Sequence, residues 1–205
     1  MKPPYWDRAR RDLARRDPVL AGIIRRHRGE HLVSRDDPFA TLARAIVGQQ
    51  ISVRAAQSVW NRVLDAAPGM TPKMILTLEQ DALRRCGLSL RKTEYLADLA
   101  RHFSRGTLRP SQWASMGDDA VIADLVAVRG IGRWTAEMFL IFNLLRPDVL
   151  PLDDVGLLNA VRLAYFGRRK VPAARIHKLA TGWAPWRSVA TWYLWRSLDP
   201  LPVEY

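Results

Sequence analysis

Two neighbouring acids stand out for chemistry. Asp153 and Asp154 lie in Pro151-Leu152-Asp153-Asp154-Val155-Gly156-Leu157, where an apolar lead-in meets the start of a helical pattern. One of them can serve as the N-cap of that helix, and both favour its dipole. Only one can occupy the cap position, which leaves the other as a carboxylate able to stabilise positive charge on a reacting group. Upstream runs Leu125-Val126-Ala127-Val128-Arg129-Gly130-Ile131-Gly132-Arg133-Trp134-Thr135-Ala136. One helix ends at Gly130 and another begins after Gly132, and glycines supply the positive φ angles that so tight a reversal needs. The turn offers backbone N–H groups at a helix start, a ready anion site, while Ile131 can plug into the core. Phosphate held by main chain carries no sequence information, so such an element positions a duplex without reading its bases. Gly-x-Gly alone is equally consistent with any tight helix–helix turn.

A third feature lies near the C-terminus. Trp186, Val189, Ala190, Tyr193, Leu194 and Ser197 share one face at a helical period, and Trp195 points nearly opposite. An aromatic off the core stripe can stack on an extruded base, or it can bury against a neighbouring helix.

The elements that must position these residues read as helices throughout. Asp17-Pro18, Asp37-Pro38 and Thr71-Pro72 each place a capping residue before a proline suited to the first turn. Ser52, Ser89 and Asp118 are further expected caps. Apolar stripes recur at helical spacing, as in Tyr95, Leu96, Leu99, Ala100 and Phe103, and in Leu157, Leu158, Val161, Ala164 and Tyr165. Alternating strands and Asn-Gly hairpin turns are missing, so the expectation is an all-α fold of about ten short helices. A central lobe at about 37–150 carries the hairpin 125–136, and residues 1–36 with 151–205 form a second lobe, with a ligand cleft expected between them.

Composition narrows the classes. The 205 residues carry a formal charge of +12, from 32 Lys plus Arg against 20 Asp plus Glu, which favours a polyanionic partner, nucleic acid before membrane. An apolar share of 48% excludes a disordered chain. The segment from Arg8 to Arg28 is rich in arginine, which reads either as a phosphate-tracking surface or as a solvated helix face. A single cysteine, Cys86, removes disulfide frameworks, cysteine-based zinc sites and four-cysteine iron–sulfur clusters. Cys86 follows two arginines, which could activate its thiol, but a small core residue is the simpler reading. The stretch Met1–Asp17 has no apolar leader, and the longest apolar run, Met138 to Phe142, is too short to span a bilayer. An intracellular protein, in cytoplasm or nucleoid, is expected.

Taken whole, the string around Gly130-Ile131-Gly132-Arg133-Trp134-Thr135-Ala136 resembles the helix-hairpin-helix of base-excision DNA glycosylases, and its form is similar to the AlkA type of 3-methyladenine glycosylase. The resemblance covers about residues 37–200. It implies Asp154 as the catalytic acid, with Asp153 as cap or support, and Gly130, Ile131, Gly132, Arg133 and Thr135 as the phosphate-binding hairpin. Trp134 and Trp195 would line the base pocket. Ile46-Val47-Gly48-Gln49-Gln50-Ile51-Ser52 matches the segment that enters DNA, so Gln50 would fill the gap left by a flipped nucleotide. The segment Leu83–Ser89 with Arg91–Leu96 resembles another family hairpin that supplies structure and candidate phosphate contacts. Bifunctional relatives carry a lysine at the place of Trp134 for Schiff-base attack, and none of the five lysines lies in this motif, which argues against lyase activity.

The resemblance implies a monofunctional glycosylase acting as a monomer on double-stranded DNA with alkylated bases, without an organic cofactor. It admits a sodium or potassium ion on hairpin carbonyls. Two departures bear on substrate range: the 36 N-terminal residues are too few for AlkA's additional α/β domain, and Met138 stands where an aromatic is expected. A glycosylase for uracil, oxidised or mismatched bases shares the same scaffold, and a non-catalytic damage-binding module needs no carboxylate.

Overall fold

The computed structural model describes residues 2–167 and 169–198; residues 199–205, the end of the expected second lobe, lie outside the described residues. The described residues form thirteen α-helices and a short 3-10 helix, with no strand among them. In chain order these are α1 (Trp6–Arg16), α2 (Pro18–Arg26), α3 (Pro38–Gly48), α4 (Val53–Ala66), α5 (Pro72–Thr77), α6 (Gln80–Arg85) and α7 (Leu90–Ser104). Then come α8 (Pro110–Trp113), α9 (Asp118–Val126), α10 (Arg133–Phe142), α11 (Val155–Phe166), α12 (Ala173–Ala180), the 3-10 helix Thr181–Trp183 and α13 (Arg187–Leu198).

The helix starts follow from local chemistry. Asp17, Asp37 and Thr71 each cap the helix behind their proline, accepting hydrogen bonds from Val19 and Leu20, from Ala40 and from Met74. Ser52 and Ser89 cap α4 and α7 through Ala55 N–H and Lys92 N–H. Asp118 departs from expectation. Gly117 takes the cap position of α9, and Asp118 sits inside the first turn, where its charge complements the dipole instead.

The chain divides into two compact units, one of residues 35–139 and one of residues 2–34 with 140–198. The second dividing point falls inside α10 at Phe139/Leu140, so residue 150, the expected lobe boundary, lies within the unit of residues 2–34 and 140–198.

In the 35–139 unit, α7 is the hub: it packs against α3, α5 and α6, while α3 also packs on α4. Leu96, Leu99 and Ala100 from the α7 stripe are fully buried. An edge-to-face aromatic chain runs Phe39–Phe103–Trp113–Phe139 with centroid spacings of 5.2, 6.3 and 5.2 Å, a favourable quadrupole arrangement. Cys86 is buried, and burial pushes its thiol pKa up, so it is an inert core residue.

In the other unit, α1 packs on α2 and α13, α2 packs on α13, and α11 packs on α13. Asp17 ties it together. One carboxylate oxygen caps α2, while the other accepts from the Tyr165 hydroxyl at 2.7 Å and Trp183 Nε1 at 3.1 Å. Burial and the neighbouring Asp17 carboxylate push the Tyr165 phenol pKa up. Arg187 at the start of α13 pairs with both Asp148 oxygens, each at 2.8 Å, fixing the loop that leads toward the two acids. The apolar faces of α1 and α2 are buried through Trp6, Leu13, Leu20 and Ile23, whereas Arg8, Arg11, Arg15, Arg16, Arg25, Arg26 and Arg28 are exposed.

Candidate active site

Asp154 is itself the N-cap of α11. Its Oδ1 accepts the Leu157 N–H at 2.5 Å and the Trp195 Nε1–H at 2.8 Å, and the residue is only 4% exposed. Asp153 is exposed. Asp154 and not Asp153 thus takes the cap position, so of the cap or support role expected of Asp153 only support is left. Both bonds fall on Oδ1, and a charged carboxylate that caps a helix keeps its negative charge, so a single acid can combine cap and chemistry.

Trp195 does point away from the core stripe of α13, but it is not outside the interior: it is 5% exposed and stacks on Phe142 at 5.7 Å with an 11° interplanar angle. The helix is buried nearly all round, with Ser188, Val189, Ala190, Thr191, Tyr193, Leu194 and Trp195 all covered, whereas Ser197, expected in the stripe, is half-buried. Gly156 completes the carboxylate's surroundings. A Cβ there would stand 3.1 Å from Asp154 Oδ1 and 3.4 Å from the Trp195 ring, closer than most side chains tolerate.

The hairpin between α9 and α10 lies in the 35–139 unit. Gly130 has φ +85 and presses on Tyr95: a Cβ would come within 2.2 Å of Tyr95 Cδ2. Gly132 has no positive φ, and a Cβ there would meet nothing within 4 Å. The turn itself thus requires only the first glycine. Ile131 is buried as expected, and its N–H donates to the Val128 carbonyl. The Arg129 N–H is likewise taken up, by Asp98 Oδ2 at 3.0 Å. Arg133 is exposed at the start of α10 and pairs with Glu137 at 2.9 Å, and Arg129 pairs with Glu94 at 3.2 Å. The carbonyls of Val128 and Gly130 accept from Ile131 N–H and from Gln49 Nε2, so an ion at the turn would share them with those donors.

Within the same unit a pocket of about 440 Å³ is bounded by Trp134, Thr135 and Met138 from α10 and by Gly48, Gln50 and Val53 around the α3–α4 junction. That volume suits a compact aromatic ligand. Thr135 is buried and lines this wall of the pocket. Gln50 is exposed at the pocket rim with φ 58, a left-handed backbone uncommon for a residue with a side chain.

The structure thus gathers the expected site residues into two groups. Asp154 and Trp195 are hydrogen-bonded partners in one unit; Trp134, Thr135 and Gln50 share a pocket in the other. Sequence reading missed the supports. Lys92 Nζ donates to the carbonyls of Val47 and Gln49 at 2.8 and 2.7 Å, which gives a residue-level form to the structural role expected of its hairpin. Burial lowers its pKa. The signal was the three-residue spacing of Lys92, Tyr95 and Asp98 along α7, which places unlike side chains on one face.

A tight glycine turn linking two helices, with an aromatic-walled pocket behind it, defines the helix-hairpin-helix class of nucleic-acid-binding folds. Residues 43–185 match the HhH-GPD superfamily of base excision DNA repair proteins, and the chain belongs to that family. DNA-3-methyladenine glycosylase 1 of Schizosaccharomyces pombe is 33% identical over 184 residues, covering 87% of this chain and 80% of that protein. The crystal structure of a DNA-3-methyladenine glycosidase from Bacillus halodurans superposes with a TM-score of 0.83 at 34% identity, covering 92% of this chain and 87% of the other. The S. pombe enzyme Mag1, solved in complex with abasic DNA, superposes with a TM-score of 0.81 at 30% identity, over 97% of this chain and 99% of its own. Among the described residues no helix is long and apolar enough to cross a membrane.

Proposed function

We propose that this protein is a monofunctional DNA glycosylase that extrudes an alkylated base from duplex DNA and hydrolyses its N-glycosidic bond. The observation that carries this reading is Asp154: a buried carboxylate, fixed through one oxygen by two N–H donors, at the position the family pattern gives to the catalytic acid. Relatives named as 3-methyladenine glycosylases support the alkylated-base class.

The chemistry follows from charge. As the bond from C1′ to the base nitrogen breaks, its electron pair leaves with the base and positive charge builds on the deoxyribose. An alkylated base such as 7-methylguanine is already cationic, so it departs neutral without a general acid. Water then adds to C1′, one proton goes to solvent, and the products are the free base and an abasic site. A carboxylate about 4 Å from the developing charge contributes about 4 kcal/mol at an effective dielectric near 20. That corresponds to a rate factor on the order of a thousand.

The other residues take supporting roles in this reading. Trp134 offers a cationic base an electron-rich face, which favours alkylated over normal bases. Trp195 orients Asp154 through its indole N–H, a role beyond the pocket-lining one that the resemblance implies. Gln50 fills the vacated stack, and Gly130 to Arg133 hold a phosphate. The open space over Gly132 supports close approach by a DNA backbone there. The absence of lysine from the α10 motif supports hydrolysis without strand cleavage.

The direct test is to incubate the protein with dimethyl-sulfate-treated duplex DNA and identify released bases by chromatography. Release of 3-methyladenine or 7-methylguanine, with uracil- and 8-oxoguanine-containing duplexes left intact, is expected. Tight DNA binding without any released base, or preferred release of uracil, overturns the reading.

A further inference from the structure

One face of α7 reaches both elements assigned to DNA. Lys92, Tyr95 and Asp98 follow one another at intervals of three residues. Lys92 Nζ donates to Val47 O and Gln49 O, the carbonyls at the end of α3 that lead directly into Gln50. A cation there also complements the negative end of the α3 dipole. Tyr95 packs its ring against Gly130, and Asp98 accepts the Arg129 N–H at 3.0 Å. The circuit is closed by Gln49, whose Nε2 donates to Gly130 O at 2.8 Å. The residue between these ties, Gln50, keeps its exposed side chain on a backbone with φ 58. A left-handed backbone at a residue with a Cβ persists only where its surroundings hold it. Here the hydrogen bonds to the carbonyls at Val47 and Gln49 are what hold it.

We propose that Lys92 is a positioning residue for base extrusion: its ammonium, with the Gln49 amide, locks the Gln50 loop in register with the Gly130 turn, so that gap filling and phosphate anchoring occur together. The lock rests on the assignment of Gln50 as the gap-filling residue. Lys92 itself touches neither DNA nor the reacting atoms; it acts through the loop.

The test compares single-turnover release of methylated bases from dimethyl-sulfate-treated duplex by wild type, Lys92→Met, Gln50→Ala and the double variant, with thermal melting as a control for folding. Loosening a group that must be placed to within about 1 Å costs on the order of tenfold to a hundredfold in rate. Lys92→Met is therefore expected to slow base release by about that factor, with wild-type-like melting and unchanged affinity for undamaged duplex. Gln50→Ala should be slowed as well, and the double variant should be no slower than Gln50→Ala alone, because both changes remove one function. Gln49→Met, which cuts the tie to Gly130 O without touching Lys92, should reproduce the defect.

Release by Lys92→Met at the wild-type rate, beside a defective Gln50→Ala, overturns the positioning role and leaves the gap-filling assignment standing. A double variant slowed by the product of the two single effects overturns it too. If Gln50→Ala releases bases at the wild-type rate, the gap-filling assignment fails and the lock built on it falls with it.

Discussion

At the residue scale the proposed reaction depends on how one carboxylate is held. Asp154 Oδ1 accepts both the α11 cap bond and the indole N–H of Trp195, so the acid cannot rotate without breaking two hydrogen bonds. Trp195→Phe separates the two contributions of the tryptophan. The phenyl ring retains packing against Phe142 but offers no donor. Base release is expected to fall by about tenfold to a hundredfold, since orientation is lost while the carboxylate stays. Unchanged single-turnover release by Trp195→Phe would show that the indole N–H does no positioning. Asp154 was legible in the sequence as an acid at a helix start. Its dual use was not, because a string of letters shows that a cap is present without showing which oxygen makes it. Trp195 shows the same limit: helical periodicity located it off the core stripe, yet periodicity cannot report that the opposite face of α13 is buried as well.

At the element scale, α7 and the hairpin separate two reasons for glycine. Gly130 answers to the chain itself, through φ +85 and the Tyr95 ring; Gly132 answers to nothing within 4 Å. Gly130→Ala is expected to lower stability by about 2 kcal/mol or more, combining backbone strain with overpacking. Gly132→Ala should change stability by less than about 0.5 kcal/mol and weaken duplex binding several-fold. Denaturant unfolding and fluorescence-anisotropy titration distinguish the two, and equal destabilisation by both substitutions contradicts the assignment. Asp98 gives a pH test of the same support. Burial opposes its ionisation, but the Arg129 N–H, Arg101 and His102 outweigh it and hold the carboxyl below its ordinary value. A depressed pKa adds stability that is complete above the unfolded value of about 3.9 and is lost as pH falls through the folded value. Asp98→Asn should therefore be less stable than wild type at neutral pH, with the gap closing below about pH 4. A deficit that does not narrow in acid would show that Asp98 acts by packing alone. Most helix starts were legible from Asp-Pro, Thr-Pro and serine caps, since capping is local. The Lys92, Gln49 and Asp98 ties join residues 31 to 81 positions apart and leave no local trace.

At the scale of the whole molecule, the charge of +12 and the turn proposed to hold a phosphate would act by different routes. Arg129 and Arg133 at the turn are exposed but paired with Glu94 and Glu137, and Arg8, Arg11, Arg15, Arg16, Arg25 and Arg26 of α1 and α2 are exposed as well. Duplex affinity should fall linearly in a log–log plot against salt, each neutralised phosphate adding about −0.9 to the slope. A flat line would exclude an electrostatic grip. Charge of that kind retains DNA without choosing a base, so in the proposed reaction bond cleavage falls to the buried Asp154. The decisive measurement is single-turnover release of methylated bases from dimethyl-sulfate-treated duplex by Asp154→Asn, which keeps the cap geometry and removes the charge. Release is predicted to fall by about a thousandfold while duplex binding persists; release at the wild-type rate would contradict the account.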